Sequence, residues 1–259
     1  MKPTVMIGLM TKNAERFLPT ALNELKKIDY PRDRMRLVVI YGKSHDKTLN
    51  ILKEFKKDCP FKMEIYEESF DPLLRQYGAN MCASIWKDWQ ELIDEDYFLL
   101  FDSDIIKVPT NLINELIKVN ADIVAPYIWS ENHRHFYDSF MFRLNNIRFH
   151  PQDPPGLGLN YPILVDSVGT CFLVKEETFV NTKVTNPYPH ITFCLSARNM
   201  GKTVVACPYL EIFHVDLEKL GILHNPLDPR LGGHPDLGWA TSNHKIQVYR
   251  LKRKKKRRK

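Results

Sequence analysis

No C-x-x-C pair occurs among the five cysteines, Cys59, Cys82, Cys171, Cys194 and Cys207. An odd number without paired spacing argues against a disulfide framework and a zinc-thiolate site, and fits a reducing, cytoplasmic setting with thiols as small core groups. No apolar run approaches the roughly 18 residues of a membrane span. The opening, Met1 to Met10, has too short an apolar run before Thr11-Lys12-Asn13 to read as a cleaved signal, and reads instead as a first strand. Glycine is missing between Met10 and Arg16, so the loop after that strand lacks the backbone freedom to cradle a triphosphate, which argues against a nucleotidyltransferase. Linkers of the Gly/Ser or Pro type and internal repeats are also missing, which leaves one domain to about residue 216, an arm over 217–251 and a tail over 252–259.

The 259 residues are 44% hydrophobic and 11% aromatic, enough for a full core and too apolar for general disorder. The formal charge is +6, yet residues 252–259 are all Lys or Arg; setting those eight charges aside leaves −2, so the body is nearly neutral. The tail Lys252 to Lys259 has no interleaved aromatics. It reads as a solvated run, as a peripheral contact with an anionic membrane face at about 1 kcal/mol per basic residue, or as a nucleic-acid contact, the last being the least favoured.

Leu18, Ala21, Leu22, Leu25 and Ile28 recur at helical spacing, and Arg36 to Tyr41 is a continuous run of the kind covered on both faces. Ser44 or Asp46 suits the cap of a helix carrying Leu49, Leu52 and Phe55. A strand over Lys62 to Tyr66, a helix from about Leu73 to Ile93 and a strand over Tyr97 to Phe101 complete a βαβ alternation. The prediction is an α/β fold with a mostly parallel central sheet flanked by helices, 1–106 forming one half and 107–216 the other. The second half predicts a helix after Pro109, strands at Asp122 to Ala125 and Val168 to Val174, a helix from His190 to Met200, and one or two strands between Thr203 and Phe213. The stretch 128–161, rich in His, Asn, Pro and Gly, predicts loops over a site rather than core.

Asp102-Ser103-Asp104 directly follows the strongest apolar strand. Two carboxylates at a strand end offer oxygen ligands to Mg²⁺ or Mn²⁺, and such an ion neutralises a diphosphate leaving group. Taken alone the triplet also suits a polar turn. His214 ends the last apolar run and can add a nitrogen to the same ion.

In order along the chain, Met6 to Asn13, Leu22 to Pro31, Val38 to Thr48, Arg75 to Asn80 and Tyr97 to Asp104 resemble the nucleotide-binding half of GT-A (Rossmann-like) glycosyltransferases, family 2 most broadly. Asp122 to Pro126 with Tyr137-Asp138, Val168-Gly169-Thr170, and His190-Ile191 leading to Gly201 and His214 are similar to fungal Golgi mannan-polymerase type α-mannosyltransferases. Asn13-Ala14, Leu18-Pro19 and Asp29-Tyr30-Pro31 also resemble procollagen galactosyltransferases. The resemblance implies a metal-dependent hexosyltransferase. It would take GDP-mannose or a UDP-sugar as donor and a glycan, lipid-linked or protein acceptor, with Mn²⁺ or Mg²⁺ on Asp102, Asp104 and His214. It places Thr11, Asn13, Arg16, Tyr41, Arg75, Asn80 and Ser103 against the donor. Tyr41-Gly42 replaces the acidic pair that family 2 members carry after their second strand. His190 stands where inverting members carry a catalytic Asp, so it is the candidate base if the reaction inverts.

Overall fold

A computed structural model describes residues 1–68, 78–131, 135–185, 188–216 and 239–249, with only the backbone of 78–81. The first half alternates strand and helix: β1 (Val5–Thr11), α1 (Leu18–Lys27), β2 (Met35–Tyr41), α2 (Thr48–Lys57), β3 (Lys62–Glu67), α3 (Gly78–Leu92), β4 (Tyr97–Phe101). The second half continues with β5 (Ile105–Lys107), α4 (Leu112–Val119), β6 (Ile123–Ser130), β7 (Arg143–Leu144) and β8 (Ile147–Arg148). It ends with β9 (Ile163–Leu164), β10 (Cys171–Lys175), α5 (Glu176–Asn181), α6 (Pro189–Asn199) and β11 (Val204–His214). Among the described residues the sheet runs β3-β2-β1-β4-β10-β6-β11-β5, with β9 beside β11.

β1 to β4 pair in parallel, and β11 pairs in parallel with β6. β10 runs against both β4 and β6. This reversal is what brings loops of the second half to the strand ends of the first. Cys171 lies opposite Phe101, so the residues just before β10 meet the residues just after β4. At the far edge β5 pairs antiparallel with β11, with His214 opposite Ile105. Gly8 admits Phe98 of β4 and Trp89 of α3 against β1: a Cβ there would lie 2.4 Å from the Phe98 ring and 3.0 Å from that of Trp89.

Several sequence expectations are adjusted. β10 begins at Cys171 rather than Val168, because Thr170 sits at φ +54 and cannot continue a strand. β11 is one strand of 11 residues that absorbs a register shift between Cys207 and Glu211 instead of breaking in two. α5 was not expected. Residues 69–77, which include the expected start of α3, lie outside the described residues. The stretch 128–161 is not only loop: Phe136, Phe142 and Phe149 are fully buried and pack on one another and on Tyr127. Three aromatics spaced by polar residues escaped any periodicity test, yet they make a satellite core beneath the loops. Of the arm, residues 239–249 are described. Ala240 donates its N–H to the Arg148 carbonyl, Leu164 donates to Gln247, and Tyr249 donates to Pro162. The rest of the arm and the basic tail lie outside the described residues. No described helix is long and apolar enough to cross a membrane.

Candidate active site

The C-terminal ends of the parallel strands gather the site. β4 delivers Asp102-Ser103-Asp104, and the Val215 N–H donates to the Asp104 carbonyl at 3.1 Å, clamping the end of β11 beside this turn. His214 is buried, while Asp102 and Asp104 are partly buried, and one ligand atom from each of the three lies within 4.8 Å of the others. His214 Nδ1 is 2.8 Å from the Val215 carbonyl, so that nitrogen carries hydrogen and donates. Its Nε2 stands 2.7 Å from Asp104 Oδ1. Burial works against a charged imidazole here, but the Asp104 carboxylate, the Val215 carbonyl and Asp102 together raise the His214 pKa above its ordinary value. Burial also drives the Asp102 carboxyl well above the usual range; Asp104 and Asp138 push the same way and His214 opposes them.

These donors suit a divalent cation. Two carboxylates and one imidazole converge, and with Nδ1 committed to a carbonyl the remaining nitrogen is the ligating one, an arrangement characteristic of metal-bound histidine. A crowd of carboxylates that resist joint ionisation is stabilised by an ion between them.

Asp138 forms a further wall of the site and was not among the residues assigned a role from sequence. It is buried, accepts a 2.7 Å hydrogen bond from the Thr170 hydroxyl, and is pushed by burial up to about 7. Thr170 closes a tight turn in which the Cys171 N–H donates to Gly169 at 2.5 Å. A β-branched residue at φ +54 is costly, and such strain concentrates at functional sites. Tyr137 stacks on His214, ring centroids 3.7 Å apart at 16°. Burial raises its phenol pKa well above the ordinary value, as do the charges of Asp104, Asp138 and Asp102.

Beside the carboxylates a cavity of about 90 Å³ is lined by Met10, Thr11, Lys12, Ile40, Gly42, Glu68, Ile85 and Ser103. Thr11 and Ser103, both expected against the donor, therefore share one pocket. Thr11 Oγ1 is buried with no hydrogen-bond partner among the described residues. Glu68 follows β3, and its N–H donates to the Tyr41 carbonyl at 2.9 Å. It brings a carboxylate to the pocket whose expected acidic pair after β2 is replaced by Tyr41-Gly42. Sequence reading missed Glu68 because it is contributed by the neighbouring strand.

The other expected donor residues are placed differently. The Tyr41 phenol accepts the Ser44 N–H at 3.0 Å. Asn13, at φ +49, bridges loops: its N–H donates to Ser44 Oγ and its Oδ1 accepts from His45. Asp46 accepts from the N–H groups of Glu15 and Thr48 and so ties the loop after β1 to the start of α2, whose N-cap position is held by Lys47 rather than by Ser44 or Asp46. Arg16 is exposed, its guanidinium 5.0 Å from the Phe17 ring. Arg75 and the Asn80 side chain lie outside the described residues. His190 is not in the carboxylate cluster. Its ring packs edge-on against Trp86 at 5.0 Å, both nitrogens are buried without a partner among the described residues, and burial lowers its pKa to about 4.

Residues 2–91 match the family described as glycosyltransferase family 25, N-terminal domain. Among solved structures, S. aureus TarS 1–349 in complex with UDP-GlcNAc superposes with a TM-score of 0.58 at 12% identity, covering 82% of this chain and 58% of that one. The mannosyltransferase PcManGT from Pyrobaculum calidifontis, in complex with GDP-Man and Mn²⁺, gives 0.58 at 15% identity over 83% and 57%. The fold is that of GT-A glycosyltransferases. Procollagen galactosyltransferase 2 of Homo sapiens is 25% identical to it over 267 residues, 88% of this chain and 39% of the relative. The Mus musculus protein is 26% identical over 268 residues, 88% and 40%. This GT-A chain thus spans about two-fifths of the length of those relatives. The matched model is family 25, where family 2 was the broadest likeness expected. Of the two narrower likenesses, that to procollagen galactosyltransferases is supported; that to fungal mannosyltransferases gains no support from these relatives.

Proposed function

We propose that the domain transfers a hexose from a uridine diphosphate sugar to a hydroxyl of a protein or glycan, with a divalent cation on Asp102, Asp104 and His214. The observation that carries the reading is the convergence of these three side chains beside the Thr11–Glu68–Ser103 cavity, at the strand ends where open α/β sheets bind ligands. The cation's contribution is to neutralise charge on the diphosphate as it departs. The protein's own part is to hold the base in the cavity and present the anomeric carbon to the acceptor hydroxyl. The acceptor oxygen forms the new bond to that carbon, the bond from the carbon to the β-phosphate oxygen breaks with its electron pair leaving on the nucleoside diphosphate, and the hydroxyl proton passes to the departing phosphate or to water.

Glu68 offers the cavity an acceptor for a base N–H, and S. aureus TarS, of the same fold, is solved with UDP-GlcNAc. Support for a galactosyl donor and a protein hydroxyl comes from the relatives, and for Mn²⁺ from PcManGT. Calorimetry with UDP and GDP, each with and without Mn²⁺, tests the reading. UDP should bind at least about 10-fold tighter with Mn²⁺ than without and tighter than GDP, and Asp102→Ala or Asp104→Ala should abolish the Mn²⁺ effect. Equal binding of UDP by these variants refutes it.

A further inference from the structure

We infer that Tyr137 is a positioning residue for the cation site, holding the His214 imidazole in the one orientation that points Nε2 at the carboxylates. This inference rests on the cation reading above and names a residue outside the ligand set. The rings are nearly parallel, 16° apart, with centroids at 3.7 Å, so the phenol ring covers one face of the imidazole. At the edge of the ring Nδ1 is tied to the Val215 carbonyl. The Val215 contact at Nδ1 and the Asp104 contact at Nε2 still leave the ring free to tilt about the line joining the two nitrogens, and a flat surface against the face removes that freedom. The two together define the ring plane, as outer partners of metal ligands do.

The chain around Tyr137 is itself held. The Tyr137 N–H donates to the Ile128 carbonyl at 2.7 Å, which folds the loop back onto β6, the parallel neighbour of β11. Asp138 is anchored in turn by Thr170 at 2.7 Å. Tyr137 is thereby fixed from β6 on one side and from the strained turn before β10 on the other. The imidazole thus takes its place from β6 and the turn before β10 as well as from the clamped end of β11 on which it sits. What the site requires at position 137 is a flat ring, and the phenol oxygen is dispensable for holding the cation.

The test is Mn²⁺ titration followed by electron paramagnetic resonance, a readout of the cation alone without donor, acceptor or turnover. Tyr137→Phe keeps the stack and should bind Mn²⁺ within about 2-fold of the parent. Tyr137→Leu fills similar space without a flat face and should bind at least about 10-fold more weakly, the range in which outer partners of metal ligands act. Thermal unfolding without metal confirms that the variants are folded. A long-range ¹⁵N correlation of the metal-free proteins supplies a second readout, a single His214 ring environment in the parent and Tyr137→Phe but an averaged one in Tyr137→Leu. Parent-like affinity and a single ring environment in Tyr137→Leu overturn the inference and leave the cation reading standing. Equal weakening in both variants also overturns it, since the hydroxyl and not the stack would then matter. Failure of the parent to bind Mn²⁺ overturns both.

Discussion

Glu68 shows how a missing residue is replaced by a spatial neighbour. Its carboxylate enters the pocket from β3, and converting it to the amide keeps the shape while removing the charge. Glu68→Gln should weaken UDP by about 1–2 kcal/mol, seen as a roughly 5- to 30-fold rise in Kd, with Mn²⁺ affinity unchanged; an unaltered Kd would remove Glu68 from base recognition. His190 makes a different prediction. Its folded pKa of about 4 lies below the ordinary 6.5, so between those values the unfolded chain binds a proton that the native one excludes. Stability therefore falls as pH drops from about 6.5 towards 4. Denaturant titration should show the parent losing about 2 kcal/mol more than His190→Phe between pH 7.5 and 5. A parallel loss in both would show that His190 is accessible to protons in the fold. At residue scale the sequence exposed Asp102, Asp104 and His214 because their types and order are distinctive. It could not expose Tyr137, whose role is set by a ring-to-ring contact with a residue far along the chain.

Among elements, the parallel strands were legible because buried strands read as unbroken apolar runs, as in Leu37 to Ile40 and Phe98 to Phe101. The reversed β10 was legible only as a strand. Direction is decided by pairing partners, so nothing in Cys171 to Lys175 announces that Thr170 will meet Asp138. The turn before β10 leaves no room for a side chain at Gly169. A Cβ on Gly169 would lie 2.5 Å from Met141 Cβ and 2.7 Å from Asp138 Oδ2. Gly169→Ala should destabilise by about 2 kcal/mol through overpacking, a fall of roughly 4–8 °C in Tm by calorimetry. Unchanged Tm would mean that the turn relaxes freely.

For the molecule as a whole, the arm ties its described segment to the satellite core and not to the nucleotide pocket. Arg148 is nearly fully buried with its guanidinium 4.3 Å from the Trp239 ring, and Trp239 also meets His150 edge-on. Trp239→Ala should cost about 1–2 kcal/mol, read as a lower denaturation midpoint, while UDP affinity stays at the parent value. Loss of UDP binding would instead link the arm to the donor site. The sequence suggests that the segment with Leu231-Gly-Gly-His234-Pro235 and Trp239 folds back over the active site; of it only Trp239 lies within the described residues, and it packs on Arg148 and His150 beside aromatics scattered through 136–149, which no periodicity announces. The cation ligands are also far apart along the chain. During synthesis on the ribosome both carboxylates emerge roughly a hundred residues before the imidazole, so a nascent chain can complete β1 to β4 before His214 is available to join Asp102 and Asp104. On the proposed cation reading the ligand set would therefore close only once β11 has formed, and an ion there would join two segments made far apart in time rather than seed the first half of the sheet.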